Sequence, residues 1–373
     1  MLDEFKARIR SAGDNKVPLC IRGSGSKDFY GNTPKGEVLD TRGYAGIVAY
    51  EPTELYITAK CGTPLIEIEA ALAAQGQCLA FEPPRFTAQS TIGTTATNGT
   101  TGTIGGAVAA GLSGPRRVSA GSLRDYVLGV KLLDGEAREL TFGGQVMKNV
   151  AGYDVSRLIA GSLGTLGLIT EVTLKVLPKP VAEATLRMEM TQADALDQLN
   201  RWAGQPLPIV ASAWEAGVLT LRLAGARAAV EAAQLKLGGE KVGAGEMAVG
   251  GGSDYWDALR DQRAAFFSTE TLWRLSLPSV APAVSVMDLP GEQLIEWGGA
   301  LRWLKSNASA DAIRSAAASV GGTATLYRAP AALKAQIGAF PPLAAPLMSL
   351  HRNLKHAFDP RGIFNPGRLY SEL

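Results

Sequence analysis

The chain has 373 residues and a mass of 39.1 kDa, a length that predicts two to three domains with a sizeable buried core and excludes a peptide hormone or a small staple-dependent module. Lys plus Arg number 37 against 35 Asp plus Glu, so the formal charge is only +2 and argues against nucleic acid as a main partner. The 43 glycines and 20 prolines exceed the usual share of roughly 12%, which calls for unusual backbone somewhere in the fold.

Taken in chain order, the N-terminal residues lack the apolar core of a signal peptide; Leu2, Phe5 and Ile9 instead mark one face of a short helix. Apolar runs at 17–21, 46–50 and 55–59 predict strands separated by glycine-containing turns. A helix follows, with Thr63 as N-cap, Pro64 at its first position, Leu65, Ile68 and Leu72 as its apolar stripe and Gly76 at its end. The uncharged run from Phe86 to Pro115 is long enough to span a bilayer, but 18 of its 30 residues are Gly, Ser, Thr or Asn. It reads as a loop system, not a membrane helix. Strands at 126–133 and 168–176 flank a second glycine cluster, and Pro178 and Pro180 close the segment.

Beyond Pro180 the texture changes to strand and helix units: a strand at 184–190, a helix at 193–202, a hairpin at 209–223 turning at Glu215 to Gly217, and a helix at 227–237. Gly250 to Gly252 reads as a turn, Tyr255 to Phe267 as a helix, Leu272 to Leu277 and Leu294 to Leu304 as extended segments, and 310–327 as a helix followed by a strand. The tail is a helix at 347–358 and a Pro/Gly-rich turn. This composition break predicts a second, separate α+β domain.

Several chemistries lack their residues. Cys20, Cys61 and Cys78 form no CxxC pair and no even framework, as expected of a reduced, cytosolic setting. His351 and His356 are the only histidines and lie five apart on one predicted helix, about 140° around its axis, so they share no ligand face. There is no HExxH, no GxSxG and no GxxxxGK[ST]. What remains is glycine where backbone approaches a ligand: IRGSGSKDFYG at 21–31, TIGGAVAAGLSGPRR at 103–117 and GSLGTLGLITEV at 161–172. Amides freed by glycine form anion nests that suit a diphosphate without many lysines. The Rossmann fingerprint is absent, because Gly23 and Gly25 are followed by Asp28 and not by a third glycine. Each loop taken singly is also consistent with a structural turn.

The strings RGSGSKDFYG (Arg22 to Gly31), FEPP (Phe81 to Pro84), TIGGAVAAGLSGPRR, SLRDYVLGVKLL (Ser122 to Leu133), the run from Phe142 to Pro180, and LKHAFDPRGIFNPGR (Leu354 to Arg368) occur in this order. Together they resemble the vanillyl-alcohol oxidase, or PCMH-type, FAD-binding family, and within it the glycolate oxidase subunits. The resemblance spans nearly the whole chain and is weakest from Ala182 to Gly252. It implies an α+β protein with a PCMH-type FAD-binding domain of two α/β subdomains at 1–180, a smaller α+β cap or substrate domain at 181–330, and a C-terminal segment at 331–373 that returns to the FAD domain.

The resemblance also implies site residues. Arg22, Gly23, Ser24, Gly25, Ser26 and Lys27 would hold the FAD pyrophosphate, while Thr103, Ile104, Gly105 and Gly106 run beside pyrophosphate and flavin. Gly161, Thr165, Gly167 and Ile169 would line the adenosine side, Asn365 lies in the turn that returns to the flavin ring, and Pro84, Gly111, Gly114 and Gly164 complete the set. Gly105 and Gly164 are expected where backbone closely approaches the cofactor. Many relatives attach FAD through a loop histidine; neither loop here has one, so non-covalent FAD is expected. TIG occurs twice, at Thr91 to Gly93 and Thr103 to Gly105, which makes 90–102 resemble an insertion; flavin contact is assigned to the second copy.

The implied function is that of the FAD-binding subunit of a glycolate oxidase or dehydrogenase complex. It would oxidise glycolate, a small 2-hydroxy acid, to glyoxylate, with a GlcD-like FAD subunit and an iron–sulfur (GlcF-like) subunit as partners. The setting would be cytoplasmic, peripheral at the inner membrane face through the complex. Relatives that dehydrogenate 2-hydroxy acids carry clustered His and acidic metal ligands; no such set is found here and no metal is expected. Catalytic residues are unassigned, with Arg260, Arg274 and Arg302 as candidates for a substrate carboxylate. Trp256, Trp273, Trp297 and Trp303 are candidates for a flavin-facing wall or for plain core, and Arg116 and Arg117 for favouring a reduced flavin anion. Two other readings stay open: a non-catalytic FAD electron-transfer or scaffold subunit, and a MurB-like NADPH-dependent flavin reductase.

Overall fold

In the computed structural model, which describes residues 1–86, 101–144, 154–242, 251–283 and 289–373, the chain divides into two units. Met1–Leu112, Ser122–Pro178 and Ala331–Leu373 form the first, and Ser113–Gly121 with Lys179–Pro330 form the second. The nine residues Ser113–Gly121 thus leave the first unit and return to it. Within the second unit they are tied by Trp297 Nε1, which donates to the Gly114 carbonyl at 3.0 Å, and by Ser119 Oγ, which donates to the Val210 carbonyl at 2.9 Å.

The first unit opens with the helix Leu2–Asn15, which buries Phe5, Ile9 and Ala12. These pack with Leu19, Leu39, Leu133, Leu168 and Phe364, so chain start, middle and end share one core. A short parallel pair, Leu19–Arg22 beside Glu37–Asp40, is extended by a parallel bridge from Leu19 to Phe364. The other sheet has five antiparallel strands in the spatial order Ile47–Glu51, Tyr56–Lys60, Leu168–Lys175, Val127–Leu133, Glu139–Gly143. Its central strand, Leu168–Lys175, is buried on both faces, with Thr170 and Thr173 enclosed beside Leu168, Val172 and Leu174.

Among the described residues the second unit is built on eight antiparallel strands, in the spatial order Glu240–Lys241, Ala182–Glu189, Val218–Gly225, Ile209–Glu215, Glu292–Glu296, Leu301–Lys305, Leu272–Ser276 and Thr323–Arg328. The helices Gln192–Ala203 and Arg227–Leu237 cover one face, where Leu186, Leu199, Trp202, Leu219, Leu221 and Val230 form the core. The pairing Arg187 to Thr220, Thr220 to Ala213 and Ala213 to Glu296 places polar side chains on the opposite face.

Three local expectations are corrected. Pro64, not Thr63, sits at the N-cap of the helix Leu65–Ala73, while the Thr63 hydroxyl donates to the Lys60 carbonyl at 2.7 Å and accepts from the Gly46 N–H. Gly251 and Gly252 begin a helix instead of turning; it ends at Arg260, because Gln262 takes a left-handed φ of 52°, and only the 3-10 turn Ala265–Phe267 follows. The extended stretch from Leu294 to Leu304 is a hairpin, broken where Trp297, Gly298 and Gly299 all have positive φ. The first TIG copy and most of QVMKNVAGYD lie outside the described residues.

Candidate functional site

The strand Leu19–Arg22 delivers the chain to the loop Gly23–Lys27, where the Asp28 N–H closes a turn on the Gly25 carbonyl at 3.1 Å and the Tyr30 N–H closes the next on Lys27 at 3.0 Å. Arg22 reaches across the loop to Asp28 at 2.6 Å. The second glycine segment abuts the first. Thr103 caps the helix Ile104–Ala110 by accepting from the Gly106 N–H at 3.3 Å, and a Cβ on Gly23 would lie 2.5 Å from Thr103 Oγ1.

Between these segments lies a cleft of about 90 Å³ lined by the whole run Arg22–Lys27 together with Thr103, Gly106, Leu163, Asn365 and Arg368. Complete small-molecule sites run to roughly 300–1,000 Å³, so this cleft suits one polar group of a larger ligand. The residues fit a diphosphate. Gly23 lets its loop approach Thr103 without a side chain, Gly106 leaves its part of the cleft open, and Arg22, Lys27 and Arg368 outnumber the single carboxylate, Asp28, that lines it.

The C-terminal segment fastens all three loops. Asn365 accepts from the Ile21 N–H at 2.8 Å and donates through Nδ2 to the Leu163 carbonyl at 2.6 Å, and its own N–H donates to Leu19 at 2.9 Å. Lys355 donates to the carbonyls of Thr165 and Phe364 and to Asp359; burial pulls its ammonium below the usual lysine range, opposed by Asp359. Arg368 donates to the carbonyls of Asn32, Lys27 and Asp28, and Lys334 to those of Phe29 and Gly31.

The structure brings together Arg22 through Lys27, Thr103, Gly106 and Asn365 at this cleft. The other sequence candidates lie elsewhere. Ile104 is core, and Gly105 packs on Cys61, whose carbonyl would sit 2.9 Å from an added Cβ. A side chain at Gly105 would thus meet a protein neighbour, Cys61. Gly164 has φ 72° and faces the Asn365 amide at 2.7 Å, again a protein contact. Gly111 abuts the Gly161 backbone, Thr165 donates to the Ser162 carbonyl, Gly167 faces the Leu133 carbonyl, and Ile169 and Pro84 are buried. Gly114 belongs to the second unit. Sequence reasoning did not single out Arg368, Lys334 or Lys355, because their partners are backbone carbonyls up to 341 positions away.

In the second unit the candidate arginines are engaged. Arg260 makes a two-pronged ion pair with Asp261 at 2.7 and 2.9 Å and another with Asp257 at 3.0 Å. Arg302 is 0% exposed and donates to the carbonyls of Gly299, Pro282 and Ala281. Arg274 and the exposed Arg117 lie 5.1 and 4.5 Å from the centroid of the Trp297 ring. All four candidate tryptophans are buried; Trp256 donates to Thr185 Oγ1 at 3.0 Å and Trp303 to the buried Glu296 at 2.7 Å. Among the described residues no group of three or more His, Cys, Asp or Glu converges as a metal site, and no helix is long and apolar enough to cross a membrane.

The fold is shared with solved enzyme structures. A 4-ethylphenol oxidase from Gulosibacter chungangensis superposes with a TM-score of 0.69 over 100% of this chain and 88% of its own at 13% identity, and p-cresol methylhydroxylase with 0.67 over 99% and 87% at 15% identity. A family model described as an FAD binding domain matches residues 2–101. The chain thus has the fold of these two enzymes and carries an FAD-binding domain. More narrowly, the Escherichia coli K12 glycolate oxidase subunit GlcE is 49% identical over 367 residues, covering 98% of this chain and 96% of its own length. The chain belongs to that glycolate oxidase subunit family. A more distant relative, the Bacillus subtilis glycolate oxidase subunit GlcD, is 31% identical over 198 residues, 52% of this chain and 39% of its own.

Proposed function

We propose that this chain is the FAD-holding subunit of an assembly that oxidises glycolate to glyoxylate. The observation that carries the reading is the convergence of the Arg22–Lys27 loop, Thr103, Gly106 and Asn365 on one cleft, in a chain similar to GlcE along its whole length. Bound FAD supplies the acceptor for a hydride from C2 of a 2-hydroxy acid. The chain's own residues bind and orient: the loop amides, Arg22 and Lys27 take the diphosphate, and Asn365 holds the strand and the 163 loop in register. FAD is held without a covalent bond, since both histidines lie on the helix Ala345–Phe358 and none lies in the loops. Acid precipitation should leave the yellow colour in the supernatant; colour in the pellet would refute non-covalent binding.

Hydride removal also needs a group to take the hydroxyl proton, and loss of such help typically costs about 10² to 10⁴ in rate. The engagement of Arg260 and Arg302 within the second unit favours an arrangement in which a GlcD-like partner does the chemistry and this subunit holds FAD for electron passage to an iron–sulfur partner. The lone chain should then turn over glycolate at least about a hundredfold more slowly than the coexpressed complex, with dichlorophenolindophenol as acceptor. Full turnover by the lone chain would sink the partner reading. Copurification with a tagged copy, with flavin and iron counted and membrane and soluble fractions compared, tests the partners and the peripheral membrane position.

A further inference from the structure

We propose that Arg368 is a positioning residue whose fixed positive charge, set behind the Arg22–Lys27 loop by backbone carbonyls, is the charge that the FAD diphosphate neutralises. The inference rests on the reading that the diphosphate lies in the cleft. Every hydrogen bond of the Arg368 guanidinium among the described residues goes to a backbone carbonyl: Lys27 at 3.1 Å, Asp28 at 3.0 Å and Asn32. No carboxylate among the described residues lies at ion-pair distance from it, whereas Arg22, on the same cleft, is paired with Asp28 at 2.6 Å. Arg368 is only 7% exposed yet lines the cleft.

A buried cation held by neutral carbonyls carries a desolvation cost that dipoles alone offset incompletely. It gains most when an anion arrives. The charged groups lining the cleft are Arg22, Lys27 and Arg368 against Asp28, which leaves two positive charges. A diphosphate diester carries two negative ones. Burial pulls the Arg368 guanidinium down to about 10, with Asp28 opposing the shift, so it stays protonated at neutral pH. Its hydrogen bonds also fix geometry: Lys27 and Asp28 form the outgoing limb of the loop, so the guanidinium sets where that loop can stand. The Asn32 side chain locks the clasp from the other side by donating to the carbonyls of Gly367 and Leu369, and its N–H donates to the Arg368 carbonyl at 3.0 Å.

The test separates charge from hydrogen bonding in the full-length chain stripped of flavin. Arg368→Lys keeps the charge with a different donor geometry; Arg368→Gln keeps amide donors and removes the charge. FAD affinity is read from quenching of flavin fluorescence at low and moderate salt, beside the thermal midpoint of each flavin-free protein. The expected result is that Arg368→Lys binds FAD within about threefold of the parent, while Arg368→Gln binds about tenfold more weakly, a loss of about 1.4 kcal/mol, with a flatter salt dependence and little change in midpoint. Equal losses in both variants, in step with falling midpoints, would show a merely structural residue and overturn the proposal. So would an Arg368→Gln protein that binds FAD like the parent. ADP competition on the parent keeps the two levels apart: displacement of FAD by ADP supports a diphosphate site, and its failure overturns the site reading itself, whatever the variants do.

Discussion

Arg302 in the second unit and Arg368 in the first use the same chemistry to different ends. Both guanidinium groups are buried, both are held by three backbone carbonyls, and burial pulls both down to about 10. Arg302 is wholly enclosed and ties the Trp297–Gly299 turn to the Ala281 and Pro282 backbone. Arg368 keeps one side on a cleft. The contrast teaches that residue type and bonding pattern do not distinguish a structural arginine from one available to a ligand; access does. It also explains why the second unit's arginines, the obvious candidates for a substrate carboxylate, are mostly spent on their own fold.

The largest expected effect sharpens this contrast. Arg302→Met removes the fully buried donor shared by the Gly299, Ala281 and Pro282 carbonyls and should lower unfolding stability by about 3 kcal/mol or more, measured by denaturant titration, with FAD affinity of the folded fraction unchanged. A selective loss of FAD instead would erase the distinction between the two arginines. Next, Gly105→Val should cost about 2 kcal/mol by driving a side chain into Cys61, whereas Gly106→Ala, facing only Thr103 Oγ1 at 3.2 Å, should keep its stability and weaken FAD binding alone. Matching stability losses in both would place Gly106 in packing and not at the cleft.

Asn365→Ala removes the link between Ile21 and Leu163. It should cost about 1 to 2 kcal/mol and speed amide exchange in both loops by similar factors; protection lost in one loop only would break the idea that the C-terminal segment joins them. The smallest effect concerns thiols. Burial pushes Cys61 up to about 12, against hydrogen bonding from Thr41 that lowers it, and burial also raises Cys20. Because the thiolate is the reactive form, only the half-buried Cys78 should label in the native protein near neutral pH, and mild alkali should not recruit Cys61 until the first unit opens. Early labelling of Cys61 would show that this unit breathes at the Gly105 contact.

Much of this was legible in the sequence wherever the signal is local. The helix at 227–237 and the hairpin turning at Glu215 to Gly217 follow from apolar periodicity and turn residues, and the RGSGSK and TIGG strings announced the two faces of the cleft. Other features left no local trace. Leu294 to Leu304 reads as one extended stretch, and the positive φ at Trp297, Gly298 and Gly299 divides it into two strands. The close approach of Cys61 to Gly105 is likewise invisible in the local sequence.

The sequence by itself carried the strands, helices and glycine loops, because turn chemistry and hydrophobic period act over a few residues and are written in them, while FAD came from the resemblance of its ordered motifs to a family. Tertiary structure alone decided which cations of the C-terminal segment hold the loops. Lys334, Lys355 and Arg368 act on carbonyls of residues far upstream, and Ser113–Gly121 leaves the unit in which its neighbours lie. A backbone carbonyl is the same acceptor in every residue, so the sequence carries no mark of which one a distant cation will find; only the packing of the chain end against its beginning selects it.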